Sequence, residues 1–77
     1  MDEWLERRAD ALSSAAGVPR EDLELSAHEI DVLLEIAGHA AHASGARTNA
    51  PLLCYLLGRV HGSKGLDELV EIVRSTS

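Results

Sequence analysis

At 77 residues, the chain is long enough for one small domain, expected to span residues 1 to 77. Its net charge of -6, thirteen Asp and Glu against seven Lys and Arg, leaves no basic face for nucleic acid. A domain of this size hides only about 60% of its unfolded surface on folding, which leaves no room for a large enclosed active site. Hydrophobic residues make up 45% of the chain but aromatics only 3%, Trp4 and Tyr55 with no phenylalanine, so the core must be aliphatic.

The elements follow in chain order. A first helix is predicted over about residues 2–16, with Asp2 as its cap, Glu3 complementing the dipole, and an inward stripe of Leu5, Ala9, Leu12 and Ala16. "GVP" ends it: Gly17 can take the left-handed position after the helix, Val18 can fold back, and Pro19 forbids continuation. "PREDLEL" has length for one helical turn, near residues 19–24.

"LSAHEI" is a capping box from Ser26 to Glu29, with Leu25 and Ile30 as its hydrophobic staple, and it opens a second helix over 26–44. Ile30, Leu33, Leu34, Ala37 and Ala41 supply its expected inward face, and Ser44 and Gly45 close it. A third helix over 49–61 begins at "TNAP", where Thr48 or Asn49 can cap and Pro51 sits harmlessly in the first turn. Its expected core face is Leu52, Leu53, Leu56 and Val60. After the break "HGSKG", a fourth helix over 66–75 presents Leu66, Leu69, Val70 and Val73 and ends in a polar tail. No strand alternation and no repeat is present, so the expected class is all-α, a compact bundle of four short helices.

The stretch "HAAHASGARTNAPL" holds the candidate chemistry. On a helical wheel His28, Asp31, Glu35, His39 and His42 share one face of the second helix. Glu35, His39 and His42 are residue types that bind divalent transition metals, yet one helix supplies two or three ligands at most, and the same pattern is that of a solvated helix face. Beyond the glycine hinge, Arg47 precedes a helix start whose N–H groups near Asn49, Ala50 and Leu52 could hold a carboxylate or phosphate with help from His42. The bland alternative is a surface arginine pairing with a neighbouring carboxylate. Cys54 and His61 share a face but stand two turns apart, about 10 Å, too far for a nucleophile and its base. Cys54 and Gly58 are expected instead to let a neighbouring helix sit close. Trp4 either staples the first helix down or, if exposed, marks a partner surface.

Residues 33 to 62, "LLEIAGHAAHASGARTNAPLLCYLLGRVHG", resemble the central signature of a small bacterial all-helical domain of unknown function. An alanine-histidine pair (Ala41, His42), an arginine (Arg47), an alanine-proline-leucine turn (Ala50 to Leu52) and a leucine-glycine helix end (Leu57, Gly58) follow in order. The N-terminal "EWLERRADALSSAAGV" fits the same pattern. That family occurs alone and at the C-terminus of molybdenum cofactor guanylyltransferases. The resemblance implies an accessory role in molybdenum cofactor biosynthesis or insertion, alongside an enzyme that makes or uses the cofactor. It does not imply guanylyl transfer, since no phosphate-binding glycine loop or larger α/β scaffold is present.

The expectation is therefore a non-enzymatic interaction domain, without a cofactor of its own. It would bind a protein partner and an anionic group at His42, Arg47, Asn49 and Ala50. Two other readings stand beside it: a metal-binding protein using Glu35, His39 and His42, and a ligand-free homodimer built on small residues around Ala40 and Cys54. No apolar run reaches the ~20 residues of a membrane span. The acidic, amphipathic start "MDEWLERRAD" does not read as a signal sequence, and a lone cysteine suits a reducing compartment, so a cytoplasmic location is expected.

Overall fold

A computed structural model describes residues 1–62 and 64–76. Ser63, in the expected break, and Ser77, in the expected polar tail, lie outside the described residues. The chain is all-helical: α1 (Glu3–Ala16), a 3-10 turn (Arg20–Leu23), α2 (Ala27–Ser44), α3 (Asn49–Val60) and α4 (Leu66–Ser75). These bounds lie within a residue or so of those expected, because the caps that set them are explicit in the sequence. The chain divides into two compact units, Met1–Ile30 and Asp31–Ser77.

In the first unit, the Asp2 carboxylate accepts the Leu5 N–H at 2.8 Å and so caps α1. Gly17 closes the helix with φ +70°, its N–H donating to the Ser13 carbonyl at 3.0 Å. The Ser13 hydroxyl then holds the Val18 carbonyl, which fixes the chain's reversal into Pro19. Arg20 fastens the 3-10 turn to α1. Its guanidinium donates to Asp10 at 2.7 Å, to Glu6 at 2.7 Å and to Glu24 at 2.9 Å. Four charges thus meet around one fork of donors, a geometry that suits arginine and not lysine. The start of α2 shows the full capping box: the Ser26 N–H donates to Glu29 at 2.8 Å and the Glu29 N–H to the Ser26 hydroxyl at 3.1 Å.

Of the stripe expected on α1, Ala9 alone is buried, while Leu5, Leu12 and Ala16 are exposed.

The second unit carries the core. Ile36, Leu57, Leu69 and Val70 are buried, with Val32, Leu53, Leu66 and Val73 packed against them. The α4 face is the expected one. The α2 face is not: Ile36 is fully buried and Ala40 nearly so, whereas Leu34 is exposed and Ile30, Leu33, Ala37 and Ala41 are only half-buried. On the wheel the inward direction lies about 100° from the expected one. On α3 Leu57 takes the core position, and Leu52, Leu56 and Val60 face outward. In both helices apolar residues extend around most of the circumference, so periodicity alone could not select the side that packs.

Gly45, at φ +71°, ends α2. The Ser44 hydroxyl donates back to the Ala40 carbonyl at 2.6 Å and accepts the Ala46 N–H at 3.2 Å, tightening the hinge into α3. Thr48 makes no side-chain cap bond. No helix among the described residues is long and apolar enough to cross a membrane.

Candidate functional site

The rotation of α2 decides the fate of its polar residues. His39 stood at the edge of the expected polar face, and turning that face by about 100° carries it toward the core. It is half-buried, and its Nε2 is shut off from solvent without a hydrogen-bond partner. Glu35 is held instead by the Arg74 guanidinium on α4. His42 stays exposed. The structure thus does not gather Glu35, His39 and His42 as ligands, and no cluster of three or more metal-binding side chains occurs among the described residues.

The hinge after α2 is likewise more occupied than expected. The Asn49 N–H donates to the Ala46 carbonyl at 3.1 Å and the Ala50 N–H to the Arg47 carbonyl at 3.2 Å. Two of the donors expected for an anion are thus already spent inside the turn, which leaves the exposed Arg47 and His42 side chains for such a contact.

Where α2, α3 and α4 meet in the second unit, a groove of about 370 Å³ opens beside His39. Ala40, Ala43, Leu52, Leu53, Leu56 and Val73 give it apolar walls, and Ser44 and Asn49 stand at its margin. The volume is at the low end of the range of small-ligand sites. Nothing in the sequence pattern announced it, because it depends on which sides of α2 and α3 turn inward. Outward from the groove, α3 exposes Leu52, Tyr55, Leu56 and Val60, with the Arg59 guanidinium 5.1 Å from the Tyr55 ring centre.

Cys54 is half-buried, and burial pushes its thiol pKa up, the reverse of what a nucleophile needs. His61 turns elsewhere, its Nδ1 lying 3.2 Å from the Lys64 carbonyl. A Cβ built on Gly58 would meet nothing within 4 Å, so the close helix approach expected there does not occur. Ala40, expected on a free small-residue surface, is in the core.

In the first unit, Trp4 is 61% exposed. The Arg8 guanidinium lies 4.3 Å from its ring centre, and Arg7 bonds Glu3 at 2.6 Å alongside. Leu5 and Leu12, two turns apart on the same side of α1, are exposed next to it.

These features define a small all-helical domain that exposes apolar side chains on α1 and α3. The chain belongs to the family described as Domain of unknown function (DUF6457), which matches residues 1–77. No curated protein and no solved structure matches it.

Proposed function

We propose that the protein is a non-enzymatic interaction domain that docks on a protein partner through the outer face of α1. The observation that carries this reading is the exposure of Trp4, with Leu5 and Leu12 beside it, on a helix whose first two turns are otherwise mostly charged. Tryptophan and arginine are the residues most enriched at the energetic centres of protein interfaces, and a stacked Trp4–Arg8 pair presents a large flat surface with little side-chain freedom left to lose. Leu5 and Leu12 extend it into a stripe two turns long. An apolar stripe rimmed by Glu3, Arg7 and Arg8 has the form of an interface core with a polar rim.

The class of partner comes from the resemblance of residues 33 to 62 to the helical domain found at the C-terminus of molybdenum cofactor guanylyltransferases. The partner is an enzyme that makes or uses molybdenum cofactor, and the domain's role is accessory. The test is calorimetric titration of the full chain into a purified molybdenum cofactor guanylyltransferase. Saturable binding that Trp4→Ala weakens by about 30-fold, with helix content unchanged, is the expected result. Equal affinity for the wild type and a folded Trp4→Ala variant would remove α1 from the account.

A further inference from the structure

Every carboxylate of α1 and its cap is already engaged. Asp2 caps the helix, Glu3 holds Arg7, and Glu6 and Asp10 both hold Arg20. Arg8 is left over: no carboxylate among the described residues pairs with it, in a chain where thirteen acids stand against seven Lys and Arg. Its guanidinium lies instead 4.3 Å from the centre of the Trp4 ring. Stacking takes up one face of that plane and leaves the N–H groups along its edge, the part that meets a carboxylate in a two-point bond.

The surroundings narrow the ligand. Glu3, Trp4, Arg7 and Arg8 line an open recess of about 270 Å³. Glu3 in its wall opposes a doubly charged phosphate more than a singly charged carboxylate. The net charge of -6 opposes nucleic acid and an anionic lipid surface alike. A single carboxylate on an otherwise apolar partner segment meets neither obstacle. The helix also sets the pattern around that carboxylate. Leu5, Arg8 and Leu12 form one exposed row, with Arg8 about one turn from each leucine, whereas Glu6 and Asp10 stand about 160° from Arg8 on the other side. A helix crossing this row matches it when an acidic residue has an apolar residue about one turn away on either side.

Building on docking through α1, we infer that this recess is a carboxylate-binding site. An Asp or Glu side chain on a helical segment of the partner bonds Arg8 over the Trp4 ring, and that segment's apolar neighbours cover Leu5 and Leu12.

The test is selection of random 15-residue peptides on the immobilised full chain, each displayed through its C-terminus so that only side chains supply carboxylates. Enriched peptides are expected to carry Asp or Glu flanked at one turn by Leu, Ile or Phe. Affinity of such a peptide, read by fluorescence anisotropy, should fall about tenfold with Arg8→Gln and about tenfold when the peptide's acid becomes an amide. Combining the two changes should weaken binding little further, and that non-additivity identifies the pair. Arg59→Gln on α3 removes the same charge elsewhere and should leave the affinity unchanged. The inference is overturned if no peptide is enriched, if the enriched peptides lack an acid, or if Arg8→Gln and Arg59→Gln act alike. Capture of the chain by phosphatidylglycerol vesicles, with no peptide enriched, would also overturn it, in favour of a lipid surface. Docking itself is judged separately. A guanylyltransferase that binds through Trp4 but ignores Arg8→Gln removes the carboxylate site and leaves the docking. Acidic peptides that bind through Arg8 where that enzyme does not leave the site and remove the enzyme as partner.

Discussion

Arg20 ties three carboxylates of the first unit together, those of Glu6, Asp10 and Glu24. Hydrogen bonding to Asp10 is the largest influence holding its guanidinium charged, with the charges of Glu24 and Glu6 adding to it. Its pKa is raised from an already high value, so the stabilisation is complete at neutral pH and would fade only as pH rose through that raised value, far above the working range. Salt, not pH, is the variable that exposes it. Arg20→Met is expected to lower the melting temperature in dilute buffer, and the difference should narrow at about 1 M salt, where the screening length falls to about 3 Å. An unchanged difference across that range would mean that the arginine acts by packing. The sequence offered little warning of this cluster, since Glu6, Asp10, Arg20 and Glu24 come together only once Gly17 and Pro19 have reversed the chain.

Cys54 makes the opposite point at the same scale. Burial raises its thiol pKa, so the native chain holds less thiolate than the unfolded chain at a given pH, and the thiol's contribution to stability declines as pH rises through that range. Alkylation by iodoacetamide at about pH 8 should accordingly be slower in the native chain than in urea. A native thiol reacting faster would mean an activated cysteine, and would reopen a catalytic reading.

Helix ends and helix faces differ in how far the sequence determines them. The ends are written locally: Asp2, Gly17, the Ser26–Glu29 box and Gly45 each satisfy or release a backbone group within a few residues. Ser26→Ala should therefore cost about 1 kcal/mol in urea unfolding, and a loss near zero would show that the box contributes nothing to stability. Faces are settled by what packs, and they were legible only where polar residues leave a single choice. On α4, Asp67, Glu68, Glu71 and Arg74 interrupt the apolar positions and the expected face is the observed one. On α2 and α3, with apolar residues on most sides, the packing choice fell about a quarter-turn away. The energetic consequence is checkable. Ile36→Ala, emptying a fully buried position, should cost about 2–5 kcal/mol, while Leu56→Ala, 56% exposed, should shift monomer stability by less than about 0.5 kcal/mol. Reversed magnitudes in urea unfolding of dilute protein would reject the α2 face described here. The same quarter-turn placed His39 in the groove wall and dispersed the metal ligands expected from spacing alone.

For the molecule as a whole, the account rests on apolar surface that the chain leaves uncovered in each of its units: Trp4, Leu5 and Leu12 on α1, and Leu52, Tyr55, Leu56 and Val60 on α3. Scattered exposed leucines need no explanation, but aromatics set among leucines at helical spacing do. The composition made an aliphatic core readable from the start. Which aromatics would face outward was not, because both lie on helices whose expected inward stripes turned out to be exposed. One measurement bears most directly on the central claim of partner docking. The chain has a single tryptophan, so fluorine NMR of the fluorotryptophan-labelled protein gives one resonance that reports on Trp4 alone. Titrated with a purified molybdenum cofactor guanylyltransferase, that resonance should shift and broaden to saturation as the ring is buried; a resonance unchanged at saturating partner concentration would contradict docking through α1.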